Sequence, residues 1–147
     1  MNQTKKITIV GASGRMGQML AMAVEENQDL ELNGLVEAKG NPLIGQFAKN
    51  NIPGLKSALE FTDEIEDVLS ASDAVIDFTN PETSVKIAYL ASKHNVVDVI
   101  GTTGFTQLQL KKIGEAAKKT TIVRAGNMSL GLNILTGLAR QVAKTLD

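Results

Sequence analysis

The segment Lys6-Ile7-Thr8-Ile9-Val10 runs directly into Gly11-Ala12-Ser13-Gly14-Arg15-Met16-Gly17. No other stretch constrains the fold as strongly. An apolar, β-branched run reads as a buried strand. A turn of small residues straight after it, opening a helix, lets backbone come close to a phosphate and aims free N–H groups at it. The junction therefore predicts strand, turn and helix with a nucleotide or dinucleotide at the turn. The common fingerprint is Gly-x-Gly-x-x-Gly. Here Gly14 and Gly17 supply its last two glycines, Ala12 stands at the first, and Gly11 precedes it. Alanine tolerates such a turn only where φ is negative. Taken alone, the motif also fits a strand–turn–helix with no ligand.

The rest of the chain narrows the function classes. Its 147 residues suffice for one domain with a real core, which at this length buries roughly 70% of the unfolded surface. Fifteen basic against sixteen acidic residues give a net charge of -1, with no basic stripe. Nucleic acid is therefore not an expected partner. With four Phe, one Tyr and no Trp, base stacking is not expected either. Cysteine is absent, which removes disulfides, thiolate nucleophiles and cysteine metal sites. The single histidine, His94, cannot build a histidine metal cluster or a catalytic triad within this chain. No metal site is expected. The N-terminus shows no apolar targeting region and no stretch has the length of a membrane helix, so a soluble cytoplasmic protein is the expectation.

Periodicity and punctuation predict strands near 6–10, 30–37, 60–62, 74–78, 96–100 and 121–124. Helices are predicted at 15–26, 63–70, 81–94, 107–119 and 130–146, with a long Gly- and Pro-marked loop over 38–56. Asn80-Pro81 is a helix-start signal and Thr106 another. Met16, Met19, Leu20, Ala23 and Val24 recur at helical spacing and are expected to pack into the core. This alternation predicts an α/β fold: a Rossmann-like, doubly wound parallel sheet with helices on both faces. Ligands of such sheets bind at the carboxyl ends of the strands. The unusual residues cluster there: 11–17, Glu37, Phe78-Thr79-Asn80, 101–104 and 125–128. That convergence favours a nucleotide cleft over a bare turn.

Glu37 ends the second strand, one βαβ step after the phosphate turn. There a carboxylate accepts hydrogen bonds from the adenosine ribose, and we favour that role over a solvated strand-end acid. A carboxylate repels a 2′-phosphate, and Lys39 offsets this with a point charge. The cofactor is thus NADH or NADPH, with NADH slightly ahead. Arg15 reads equally as a phosphate contact and as a helix-surface arginine. Thr79, Thr102 and Thr103 offer hydroxyls near the expected nicotinamide end, or serve ordinary turn chemistry. His94, near a helix C-terminus, is read as a surface residue.

Four stretches together resemble dihydrodipicolinate reductase, the family that acts in bacterial lysine and diaminopimelate biosynthesis. They are Gly11-Ala12-Ser13-Gly14-Arg15-Met16-Gly17, Val75-Ile76-Asp77-Phe78-Thr79-Asn80-Pro81, Gly101-Thr102-Thr103-Gly104-Phe105 and Ala125-Gly126-Asn127-Met128-Ser129-Leu130-Gly131-Leu132-Asn133. The last three are far more specific than the first, and together they span nearly the whole chain. The resemblance implies an NAD(P)H-dependent oxidoreductase that reduces a dihydrodipicolinate-type intermediate to tetrahydrodipicolinate. Gly11, Ala12, Ser13, Gly14, Arg15, Met16 and Gly17 would then surround the pyrophosphate, and Glu37 would hold the ribose. Phe78 and Thr79 would lie beside the cofactor. Gly101, Thr102 and Thr103 would line the nicotinamide end, with Thr103 near the substrate. Ala125, Gly126, Asn127 and Met128 would close over the nicotinamide.

Family members often carry an arginine directly after the ribose acid, where this chain has Ala38, so NADPH binding would rest on Lys39. The family's second domain, with its His-His-x-x-Lys-x-Asp-x-Pro-Ser-Gly-Thr run, has no counterpart in these residues. That domain supplies the proton donor, the grip on the small dicarboxylate substrate and most of a homotetramer. The resemblance therefore implies an NAD(P)-binding domain over 1–129 and a hinge helix over 130–147 leading to a substrate and tetramerisation domain. It implies no catalytic residue in this chain, no reductase turnover by it alone, and a monomeric or weakly associated state. A stand-alone NAD(P)-binding regulatory or redox-sensing module is the alternative reading.

Overall fold

The computed structural model describes residues 4–126 and 128–146. Six strands form one sheet: β1 (Lys5–Val10), β2 (Leu30–Val36), β3 (Phe61–Thr62), β4 (Ala74–Asp77), β5 (Val97–Ile100) and β6 (Ile122–Arg124). Five α-helices connect and follow them: α1 (Arg15–Glu26), α2 (Ile65–Ser70), α3 (Pro81–His94), α4 (Gln107–Ala116) and α5 (Leu130–Leu146). The strand order is β3-β2-β1-β4-β5-β6, and every pairing is parallel. This is the Rossmann-like doubly wound sheet expected from the alternation. All strands point one way, so every strand-end segment lies on one rim. The order reverses between β1 and β4, and that switch point is where such sheets open a crevice.

Parallel strands are buried on both faces, and β1 is buried from Ile7 to Val10 after its exposed Lys5 and Lys6. Ile7 and Ile9 pack with Ala21 and Val24 of α1, and with Leu35, Phe61, Ile52 and Leu55. Val10 faces the other way, onto Val36, Val75, Leu69, Ile87, Leu90 and Ala91 beneath α2 and α3. A third cluster, Ala88, Ile100, Ile113 and Ala116, sets α4 beside α3. The register between β1 and β2 slips after Ile7↔Leu32, so that Thr8 pairs with Gly34 and Asn33 becomes the extra residue. Asn33 uses its freedom to donate to the Val68 carbonyl at 3.1 Å and to Ser72 Oγ at 3.0 Å, fixing α2 against the sheet.

The expected α1 stripe needs correction. Met16 and Met19 are 44% and 65% exposed, and Ala23 is exposed as well. The face in contact is Gly17, Ala21 and Val24, with Leu20 packed against its edge. The reason is proximity: a Cβ on Gly17 would stand 2.1 Å from the Gly11 carbonyl oxygen and 2.6 Å from Ala12 Cα. A helix drawn that close to the turn presents its smallest side chains, and the bulky methionines are left outside.

The helix starts follow their caps. Asn80 Oδ1 accepts from the Thr83 N–H at 3.0 Å with Pro81 in the first turn. Thr106 and Gln109 form a reciprocal capping box. α3 ends on Asn95, whose φ of 56° is left-handed. His94, placed at the surface by the sequence, has a partner there: its Nε2 lies 3.3 Å from Glu66 Oε1, which Lys93 also contacts. α4 is shorter than expected because Lys118, Lys119 and Thr120 turn back onto the carbonyls of Glu115 and Ala116. Among the described residues, no helix is long and apolar enough to cross a membrane.

Candidate functional site

The glycine-rich turn solves its own irregularity. Gly11 takes the positive φ, +74°, and the described non-glycine residues reserve positive φ for Asn95 alone. Ala12 therefore sits in ordinary backbone, fully buried, with Gly11 carrying the strained conformation before it. The amides of Gly11 and Ala12 both reach the Val36 carbonyl, at 2.9 and 3.3 Å. Gly14 is the residue before α1, and no side chain caps that helix. Its first internal bond, Gln18 N–H to the Gly14 carbonyl at 2.9 Å, leaves the preceding amides without helical partners. Where α3 and α4 spend a side chain on their starts, α1 keeps its positive end available.

Glu37 follows β2 directly and is tied to that turn. Its Oε1 accepts the Ser13 N–H at 2.6 Å, and its Oε2 accepts Asn41 Nδ2 at 2.9 Å. Gln18 Nε2 donates to the Ser13 carbonyl at 2.7 Å, bracing the turn from the helix side. A cleft of about 380 Å³ opens here, at the switch point between β1 and β4. Gly11, Glu37, Lys39 and Thr79, all singled out in the sequence, line it. Ala38, Asn80, Ile65, Thr83, Lys86 and Ile87 complete much of the wall. Asn41, which holds Glu37, and the α2 and α3 wall residues escaped sequence reasoning, since their places depend on tertiary packing. The recurrence of Asn80, Thr83 and Ile87 along one helix start was the available signal.

Residues 5–128 match the family model described as dihydrodipicolinate reductase, N-terminus. The chain belongs to the dihydrodipicolinate reductase family. A curated relative, the 4-hydroxy-tetrahydrodipicolinate reductase of Bartonella tribocorum, is 39% identical over 142 residues, covering 97% of this chain and 53% of its own length. The chain spans about half the length of the curated relatives it matches. Among solved structures, a dipicolinate-bound dihydrodipicolinate reductase from Paenisporosarcina sp. TG-14 superposes with a TM-score of 0.61 at 27% identity, over 78% of this chain and 43% of that one. RSP, a Rex-family repressor, shares the fold at 17% identity with a TM-score of 0.67, over 98% of this chain and 62% of its own.

The reductase match takes in every remaining predicted position. Phe78 and Gly101 meet directly, because a Cβ on Gly101 would fall 2.1 Å from the Phe78 ring. Thr102 is buried, 6% exposed, and its Oγ1 accepts the Thr79 N–H at 3.0 Å. Thr103, Gly104 and Gly126 are exposed on the rim, as are Arg15 and Met16 on the first turn of α1. Ala125 is half-buried and Met128 is 40% exposed. Asn127 lies outside the described residues. The structure thus gathers Gly11, Glu37, Lys39 and Thr79 around one cleft. Thr102 is joined to that group through Thr79, and Thr103, Ala125, Gly126 and Met128 are left as an open margin.

Two buried acids stand beneath this rim. Asp77 closes β4 and Asp98 lies in β5, both fully buried. Burial, and then the neighbouring Asp77 charge, push the Asp98 carboxyl up to about 8. Burial also raises Asp77, opposed by Ser84 and by bonds from Thr79. The Ser84 influence is one of nearness, since its hydroxyl makes no formed hydrogen bond.

Proposed function

We propose that this chain is the nucleotide-binding part of a dihydrodipicolinate reductase and holds NADH or NADPH along the carboxyl ends of β1, β2, β4 and β5. One observation carries the reading: a cleft at the switch point walled by Gly11, Glu37 and Thr79, beside a helix start that no side chain caps. The residues fit the cofactor. Glycine is required at Gly11 by its φ of +74° and at Gly17 because a Cβ there would stand 2.1 Å from the Gly11 carbonyl oxygen. That leaves bare backbone for a pyrophosphate. Glu37, held by Ser13 and Asn41, presents a fixed acceptor to the adenosine ribose. Lys39 in the same wall offers a 2′-phosphate a counter-charge, so both cofactors are admitted with NADH ahead.

Gly14, Arg15 and Met16 flank the phosphates in this reading. Phe78, Gly101, Thr102 and Thr103 border the nicotinamide, Thr103 on the substrate side, and residues 125–128 close over it. When bound, the nicotinamide supplies a hydride to the unsaturated ring of a small dicarboxylate. We assign 1–129 to the cofactor unit and 130–147 to a helix leading toward the substrate-binding part. The complete enzyme is on this reading a cytoplasmic homotetramer of lysine and diaminopimelate biosynthesis, whereas this chain by itself is monomeric or weakly associated and turns over no substrate.

Calorimetric titration with NADH and NADPH tests the reading. The native chain binds NADH. Glu37→Ala weakens it by about tenfold, the loss of one charge-assisted hydrogen-bond set, and weakens NADPH less. A native chain that binds neither cofactor overturns the proposal.

A further inference from the structure

The cofactor reading leaves one costly feature unexplained. Asp77 is fully buried at the end of β4, between Val75 and the loop, and opposite Ile100 of β5. An apolar residue would suit that layer better, because a buried carboxylate loses its hydration. Its Oδ2 makes no formed hydrogen bond, with the Ser84 hydroxyl as its nearby polar influence. Its Oδ1, in contrast, is fully used. It accepts both the N–H of Thr79 at 3.0 Å and the Thr79 hydroxyl at 2.5 Å.

Thr79 is the meeting point of three strand-end loops. Its N–H is shared between Asp77 and Thr102 Oγ1, the latter at 3.0 Å, which joins the loop after β4 to the loop after β5. Its Cγ2 fills the space beside Gly11, where an added Cβ would stand 3.0 Å away, which joins both to the turn after β1. One carboxylate oxygen therefore sets the rotamer of the residue that touches all three. Asp98 has no such role: neither of its oxygens is bonded.

We infer that Asp77 is a positioning residue, whose carboxylate locks Thr79 and Thr102 in the arrangement that receives the nicotinamide half of the dinucleotide. The inference rests on the cofactor reading above. It separates the two halves of the ligand. AMP occupies the adenosine end, against Glu37, and does not need the lock. NADH extends past Thr79 toward Thr102 and does.

The test titrates the native chain, Asp77→Ala, Asp77→Asn and Asp98→Asn with NADH and with AMP, alongside thermal melts. Asp77→Ala loses about tenfold in NADH affinity, the loss of a charge-assisted acceptor, and keeps native AMP affinity. Asp77→Asn retains an acceptor oxygen and recovers most of the NADH affinity. Asp98→Asn binds both ligands as the native chain does. Equal losses of NADH and AMP affinity in an Asp77→Ala chain that still melts cooperatively overturn the inference, as does native NADH affinity in that variant. Should Asp77→Ala not fold, Thr102→Val carries the test: it lowers NADH affinity relative to AMP, and an unchanged ratio overturns the inference. If the native chain binds AMP and NADH while the variants show no split, the cofactor reading stands and the positioning role falls. If the native chain binds neither, both fall.

Discussion

One row of side chains crosses the whole sheet on the α1 side, and its two ends differ. Phe61, Leu35 and Ile9 are neighbours in register and are 1%, 0% and 0% exposed. Continuing across the same face, Ile76 and Val99 are half-buried, and Val123 is 48% exposed. The β1–β3 half is covered by α1 and the long loop, while the β5–β6 half is bare on that face. α5 repeats the contrast, with Ile134, Leu135, Leu138 and Val142 each more than half exposed. The covered half holds the cleft, and the bare half holds Thr103 and the margin near Met128. On the proposed reading, a dinucleotide site built this way is preorganised for adenosine by its own packing, and less so for nicotinamide.

Core truncation gives the largest separation between the halves. Ile9→Ala should cost about 3–4 kcal/mol, transfer plus cavity, and lower the melting temperature by roughly 10 °C. Val123→Thr, which keeps the β-branch at an exposed strand site, should stay within about 0.5 kcal/mol. Equal losses in thermal melts would break the comparison.

The close approach of α1 to its turn gives the next effect. Gly17→Ala forces a Cβ against backbone and should cost about 2–3 kcal/mol, and it should also abolish NADH binding by displacing the phosphate turn. A stable variant with native NADH affinity would mean that the turn does not shape the site.

A further effect is a pH slope from the buried half of β5. The folded Asp98 carboxyl is raised to about 8 from an ordinary 3.8. Between those values the folded state keeps a proton that the unfolded chain releases. Stability is therefore greatest below the ordinary value, falls as pH climbs through that window, and is lowest above about 8. Asp98→Asn should flatten this slope in melts taken across pH 5 to 8, and an unchanged slope would contradict the assignment.

The legible parts of this molecule were those written locally. The starts of α1, α3 and α4 follow from glycine, Asn80-Pro81 and Thr106, because caps act within four residues. Glu37 was legible because the βαβ step fixes its distance from the turn. What was missed depends on contacts distant in sequence. The buried face of α1 was set by the nearness of Gly11 and Ala12, which no hydrophobic count reveals. Asn41 matters only because Glu37 turns toward Ser13. Asp98 is the polar residue of an otherwise apolar strand, but nothing local distinguishes its idle oxygens from the working Oδ1 of Asp77.

The central claim is that the rim over β1, β2 and β4 receives a nicotinamide dinucleotide, with its adenosine half at the ends of β1 and β2. Amide NMR of the chain titrated with NADH addresses it most directly. The account predicts saturable shifts at Gly11, Ser13, Glu37 and Thr79, with α5 unmoved. Shifts absent from those four amides, or confined to α5 and the outer faces of α3 and α4, would contradict it.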